Sequence, residues 1–145
     1  MKRFKKILLI MVCVLITPGC FNKKLNKDLT CEKSLESGYS RTENYSFEEG
    51  VVSKLEWITA SPLEEEDLDY LTELFETEKE KIKDIAACEI KNDISDEIYT
   101  ETLSCNVKDM SDADIKEVFG DNIVIKSTRE EIIENYDHGQ AMTCE

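Results

Sequence analysis

The chain has 145 residues, with 18 Lys and Arg against 32 Asp and Glu and a formal net charge of −14. A surface this acidic excludes nucleic-acid binding and adhesion to anionic lipid, because every phosphate contact would be repulsive. With 41% of residues hydrophobic and clear periodic segments, the chain can bury a core, which separates it from disordered acidic tails.

The opening MKRFKK carries four positive charges and leads into an uncharged apolar run from Ile7 to Ile16. That is the layout of a signal peptide. At about ten residues the run is half of the roughly 20 that a membrane-spanning helix needs, so it predicts a leader that is cut away. Thr17-Pro18-Gly19-Cys20 then resembles the lipobox of bacterial lipoproteins, in which a small residue precedes a cysteine that is diacylated and left as the new first residue. Thr17 stands where that pattern has an aliphatic residue, and ordinary signal peptidase could cut the same bond to leave a secreted protein. The cysteine count favours lipid. Cys13 leaves with the leader, so Cys20, Cys31, Cys88, Cys105 and Cys144 remain, an odd number that acylation of Cys20 makes even. Two or more acyl chains give stable attachment, at about 0.8 kcal/mol per buried CH₂. The expected organisation is a signal peptide over 1–19, a lipid-anchored spacer over 20–27 and a single domain over 28–145. Loss of the leader brings the net charge near −18.

The domain is expected to open on β structure. A short strand is expected around Leu29 to Glu32. From Tyr39 to Phe47, alternation puts Tyr39, Tyr45 and Phe47 on one face and Ser40, Thr42, Asn44 and Ser46 on the other. A turn at Glu48-Glu49-Gly50 leads to a second strand whose Val51, Leu55 and Trp57 share a face. Ser61-Pro62-Leu63-Glu64 reads as a capping box with proline at the first helical position, and Glu64 to Asp67 suit the positive end of the helix dipole. Leu68, Leu71, Phe75, Ile82 and Ile85 follow at helical spacing, which predicts a helix from Pro62 to about Lys83 with a buried stripe. Cys88 and Ile90, then Tyr99, Leu103, Cys105 and Val107, mark the apolar faces of a second hairpin. Ser111 with Asp114 starts a short helix that Gly120 ends, and Ser127 with Glu130 starts another reaching about Tyr136. GQAMTCE closes the chain as an edge strand. The fold class is therefore α+β, an antiparallel sheet of two hairpins plus terminal strands, packed by one long helix and two short ones.

Four cysteines outside the leader and lipobox allow three pairings. Cys88 and Cys105 lie on apolar faces of adjacent antiparallel strands, whose opposed Cα atoms come within disulfide reach. They are expected to pair, which leaves Cys31 for Cys144. Four reduced, buried cysteines are the alternative.

A leader of this kind, a hairpin, a long acidic helix, KDIAACEI before the second hairpin, KDMSDADIKEVFG, STREEIIE and a terminal MTCE together resemble the YehR-like bacterial lipoproteins. Where that family has glycine before the second hairpin, this chain has Ala86-Ala87. The resemblance implies a small α+β extracytoplasmic domain of unassigned biochemistry, with no catalytic residues to carry over.

Chemistry is hard to find along the chain. His138 is the lone histidine, beside Gly139 in an expected turn, so nucleophilic catalysis by Ser–His or Cys–His would have to run through it. Asp109, Asp112 and Asp114 lack the spacing and mid-loop glycine of a calcium loop and fit a helix start. There is no C-x-x-C and no Gly-rich phosphate loop, so neither a metal nor a cofactor is expected. Tyr39, Tyr45, Phe47 and Trp57 are either an aromatic binding surface or core beneath the long helix. The expected function is a lipid-anchored envelope protein on the extracytoplasmic face of a bacterial membrane, a binding or interaction module without catalysis whose partner or ligand is unassigned. The alternatives are an envelope hydrolase using carboxylates and a structural envelope protein.

Overall fold

The computed structural model describes residues 28–64, 67–120, 123–139 and 142–145. The leader, the spacer and Cys20 lie outside the described residues. Strands β1 (Leu29–Ser34), β2 (Ser40–Glu48) and β3 (Val51–Pro62) precede helix α1 (Leu68–Ile82), and strands β4 (Cys88–Ser95) and β5 (Ile98–Cys105) follow it. Helices α2 (Asp112–Phe119) and α3 (Arg129–Gly139), each preceded by a 3₁₀ turn, lead to β6 (Thr143–Cys144). The strands form one antiparallel sheet in the order β4-β5-β3-β2-β1-β6. This is the α+β architecture expected, two hairpins with terminal strands and three helices.

Two-residue loops close both hairpins. Glu49-Gly50 and Asp96-Glu97 have positive φ at both positions, the mirror-image turn whose twist matches that of paired strands. Gly38, between β1 and β2, is required for a different reason. Its φ is +86°, and a Cβ there would sit 2.6 Å from Pro62 Cγ.

The inner face of the sheet carries the core. Leu29, Cys31, Tyr45, Leu55 and Cys105 are buried there against Ile115 and Phe119 of α2 and Ile132 and Tyr136 of α3. The outer face is polar, and across it Thr30 Oγ1 donates to Asn44 Oδ1 (3.0 Å) while Asn44 Nδ2 donates to Glu56 Oε2 (2.8 Å). One register detail departs from the alternation. Ser46 lies opposite Lys54 but Phe47 opposite Val52, so Ser53 is an extra residue in β3, and its hydroxyl donates to the Ser46 carbonyl at 3.1 Å. This bulge moves Val52 to the inner face in place of Val51, which is 45% exposed.

The long helix also departs from expectation. Ser61-Pro62 ends β3 instead of opening the helix, because strand pairing continues through Ser61 opposite Tyr99 and Pro62 opposite Ile98. A proline at the last strand position sacrifices no ladder hydrogen bond there. The helix begins at Leu68 after Asp67, whose side chain makes no cap bond. Of the expected stripe, Phe75, Ile82 and Ile85 are buried, Leu71 is half-buried and Leu68 is exposed. Phe75→Ala should therefore cost about 3–5 kcal/mol in urea unfolding, while Leu68→Ala and Glu73→Ala should stay within about 0.5 kcal/mol. Equal losses at Phe75 and Leu68 would mean that the helix face is wrongly assigned.

The short helices follow their caps. Ser111 and Asp114 form the expected capping box of α2. That of α3 sits one residue later than Ser127 and Glu130. Thr128 N donates to Glu131 Oε2 (2.8 Å) and Glu131 N to Thr128 Oγ1 (3.3 Å), and α3 runs past Tyr136 to Gly139. Beyond β6, Glu145 N donates to the Thr30 carbonyl (2.8 Å) and Thr30 N to the Glu145 carbonyl (2.9 Å), which holds this edge strand on β1.

Candidate functional site

Register places the cysteines. Cys88 lies directly opposite Cys105 and Cys31 directly opposite Cys144, and each pair forms a disulfide, with Cα–Cα distances of 4.1 and 4.0 Å. His138 falls within α3 and not in the turn expected beside Gly139. The three aspartates behave as helix-start residues. Asp109 accepts from Asn106, Asp114 caps α2 with Ser111, and Asp112 pairs with Lys126, which holds its carboxyl below the usual range. Among the described residues no three His, Cys, Asp or Glu side chains gather as metal ligands.

A buried charge that sequence analysis passed over lies on β2. Glu43 is 1% exposed on the inner face, and both Tyr45 and Tyr136 donate their phenolic hydrogens to its Oε2, at 2.5 Å in the case of Tyr45. The two hydroxyls are 3.0 Å apart. Burial first, and then the Glu43 carboxylate, push both phenols far above the ordinary tyrosine value, so they remain donors at neutral pH. Arg41 balances the charge from two residues away on the same face, its Nε 2.6 Å from Glu43 Oε1. That contact is an ion pair without hydrogen-bond alignment, and the buried Nε has no aligned acceptor. Carboxylate, guanidinium and two phenols together tie α3 to the sheet.

Arg41 also faces a groove of about 220 Å³ between the C-terminal half of α1, α2 and the inner face. Pairing sets its floor in two adjacent rows across the strands. One row is polar and runs Arg41, Thr59, Glu101, while the other runs Glu43, Trp57, Leu103, Ile90 and is apolar beyond the glutamate. Ile82 of α1 and Val118 of α2 add apolar wall, with Glu78, Lys81 and Glu117 at the sides. Arg41 lies over the Trp57 ring at 4.4 Å from its centroid, a cation–π contact, and Phe119 meets Trp57 edge to face at 5.0 Å. Trp57 thus packs under α2, in the floor of a groove that Ile82 of the long helix also walls. Its indole Nε1 is buried and has no acceptor. Removal from water pushes the Glu101 carboxyl up, and the nearby Glu78 charge adds to this against a 3.3 Å hydrogen bond from Tyr99. Glu78 is engaged by Lys81 at 2.5 Å. The groove therefore joins a cation over an aromatic ring, a poorly solvated carboxyl and an apolar wall.

The signal for this site was present in β2. Its alternation puts Arg41 and Glu43 on the face of Tyr45 and Phe47, and two opposite charges on a strand's apolar face mark a buried ion pair.

Neither the protein-family models nor the curated proteins contain a match to this chain. Among solved structures, the fold is similar to that of a protein from Streptococcus pneumoniae TIGR4 determined by NMR. The TM-score is 0.58 and the identity 15%, over 100% of this chain and 98% of that one, a likeness of fold.

Proposed function

We propose that the chain is a lipid-anchored extracytoplasmic binding module of a bacterial envelope, of the YehR-like type, with its ligand site in the groove above Trp57. The observation that carries the binding reading is the groove itself, a concave site that sets the Arg41 guanidinium and the poorly solvated Glu101 carboxyl beside an apolar wall. The leader, the lipobox at Cys20 and two disulfides that suit an oxidising compartment support the location.

Anchoring is tested at Cys20. Cys20→Ser should abolish labelling by a radioactive fatty acid and move the protein from the membrane pellet to the soluble fraction. A variant that still pellets at high salt would place the anchor elsewhere.

A second reading, a hydrolase with Glu101 as general acid, is favoured by one observation, the raised proton affinity of its carboxyl. Such an acid needs a free carboxylate as its partner. Of the two other carboxylates that line the groove, Glu78, whose charge acts on Glu101, is held by Lys81, so this reading would need Glu117 and Glu117→Gln would test it.

A further inference from the structure

We propose that the groove binds a small zwitterion, a free α-amino acid with an apolar side chain. The inference rests on the binding reading and gives it a ligand class. Arg41 and Glu101 flank Thr59 in the polar row, one on each neighbouring strand. Strands in a sheet are about 4.8 Å apart, so the backbones of these opposite charges lie about 10 Å apart, with long side chains to close on a ligand held above Thr59. A carboxylate at the Arg41 end would meet a guanidinium held over the Trp57 ring. An ammonium at the other end would meet Glu101. The adjacent row offers Leu103 and Ile90, and the walls Ile82 and Val118, for an aliphatic side chain.

Size and charge narrow the class further. Sites for drug-sized molecules run from about 300 to 1,000 Å³, so 220 Å³ suits a ligand of about one amino acid. Two cations and three carboxylates line the groove, which disfavours a simple anion, while the Arg41–Trp57 end disfavours a simple cation. A ligand with both charges satisfies both ends. It would also relieve Glu101, whose carboxylate is poorly solvated in the groove, so binding should weaken as pH falls and this group takes up a proton.

The test is calorimetric titration of the full acylated chain in detergent micelles with L-leucine, its decarboxylated analogue 3-methylbutylamine, its deaminated analogue 4-methylpentanoate, and glycine. Leucine should bind saturably and each of the others about tenfold or more weaker. Glu101→Gln should bring leucine down to the affinity of 4-methylpentanoate, and circular dichroism with its unfolding midpoint establishes that this variant folds. The proposal is overturned if leucine gives no saturable heat, if either one-charge analogue binds as tightly as leucine, or if Glu101→Gln folds and leaves leucine binding unchanged. Failure here with release of Cys20→Ser from the membrane removes the ligand assignment alone. Leucine binding by a Cys20→Ser protein that stays membrane-bound removes the anchor alone.

Discussion

Replacing Cys31 and Cys144 together by alanine should lower the unfolding free energy by about 4–5 kcal/mol, against about 3 kcal/mol for the Cys88 and Cys105 pair. In the chain-entropy account a cross-link stabilises by restricting the unfolded chain, and the restriction grows with the loop it closes. The two bridges span sequence separations of 113 and 17 residues, so their order follows from length alone. Urea unfolding measures it. The larger loss should come with a steeper denaturant slope, because freeing the long loop expands the unfolded state. A greater loss from the Cys88–Cys105 pair would show that native packing around that bridge outweighs chain entropy.

The buried ion pair should give losses of similar size. Arg41→Met leaves the Glu43 carboxylate buried without its cation and should cost about 3–5 kcal/mol. Arg41→Met with Glu43→Leu should be more stable than Arg41→Met alone, since no charge is then stranded and Tyr45 and Tyr136 keep the hydrogen bond between them. Additive losses in a double-mutant cycle would mean that the two residues do not act as a pair. The phenols set an alkaline limit as well. Their folded pKa values are raised, so their contribution is fully present below the unfolded tyrosine value of about 10 and is lost as pH rises above it. The fall should reach about 1.4 kcal/mol per pH unit for each phenol that stays protonated in the folded protein, and Tyr136→Phe should remove one such contribution. An unfolding free energy that is flat between about pH 9 and 11 would contradict this.

What could be read from sequence divides along physical lines. The existence of the two hairpins and the pairing of Cys88 with Cys105 are local, and each appears in the structure, with the first turn one residue shorter than Glu48-Glu49-Gly50 because Glu48 pairs with Val51. Ser61-Pro62-Leu63-Glu64 has strong helix-start chemistry, yet pairing with β5 wins there, because local propensity is a weaker effect than a sheet ladder closed by distant residues. The bulge at Ser53 left no mark in the composition of β3, so Val51 and Val52 exchanged faces unannounced. The groove was the least legible part. Its floor comes from β2, β3, β4 and β5 and its walls from α1 and α2, and Arg41, Glu101 and Glu117 each come from a different part of the chain. Trp57 packs on Phe119 as a core residue and also floors the groove, and that double role depends on its surroundings and not on its own strand.

The fastening of β6 to β1 has a mechanical consequence. Tension applied through the spacer would enter the domain at Asp28 and reach the sulfur bridge three residues later. Only Asp28, Leu29 and Thr30, about 10 Å of chain, precede the covalent stop. From Cys31 the load would pass through the sulfur bridge to Cys144, so β1 could not be parted from β6 without breaking a covalent bond. A protein hung from a membrane by a short leash would in this way meet drag or a tugging partner with its most resistant edge.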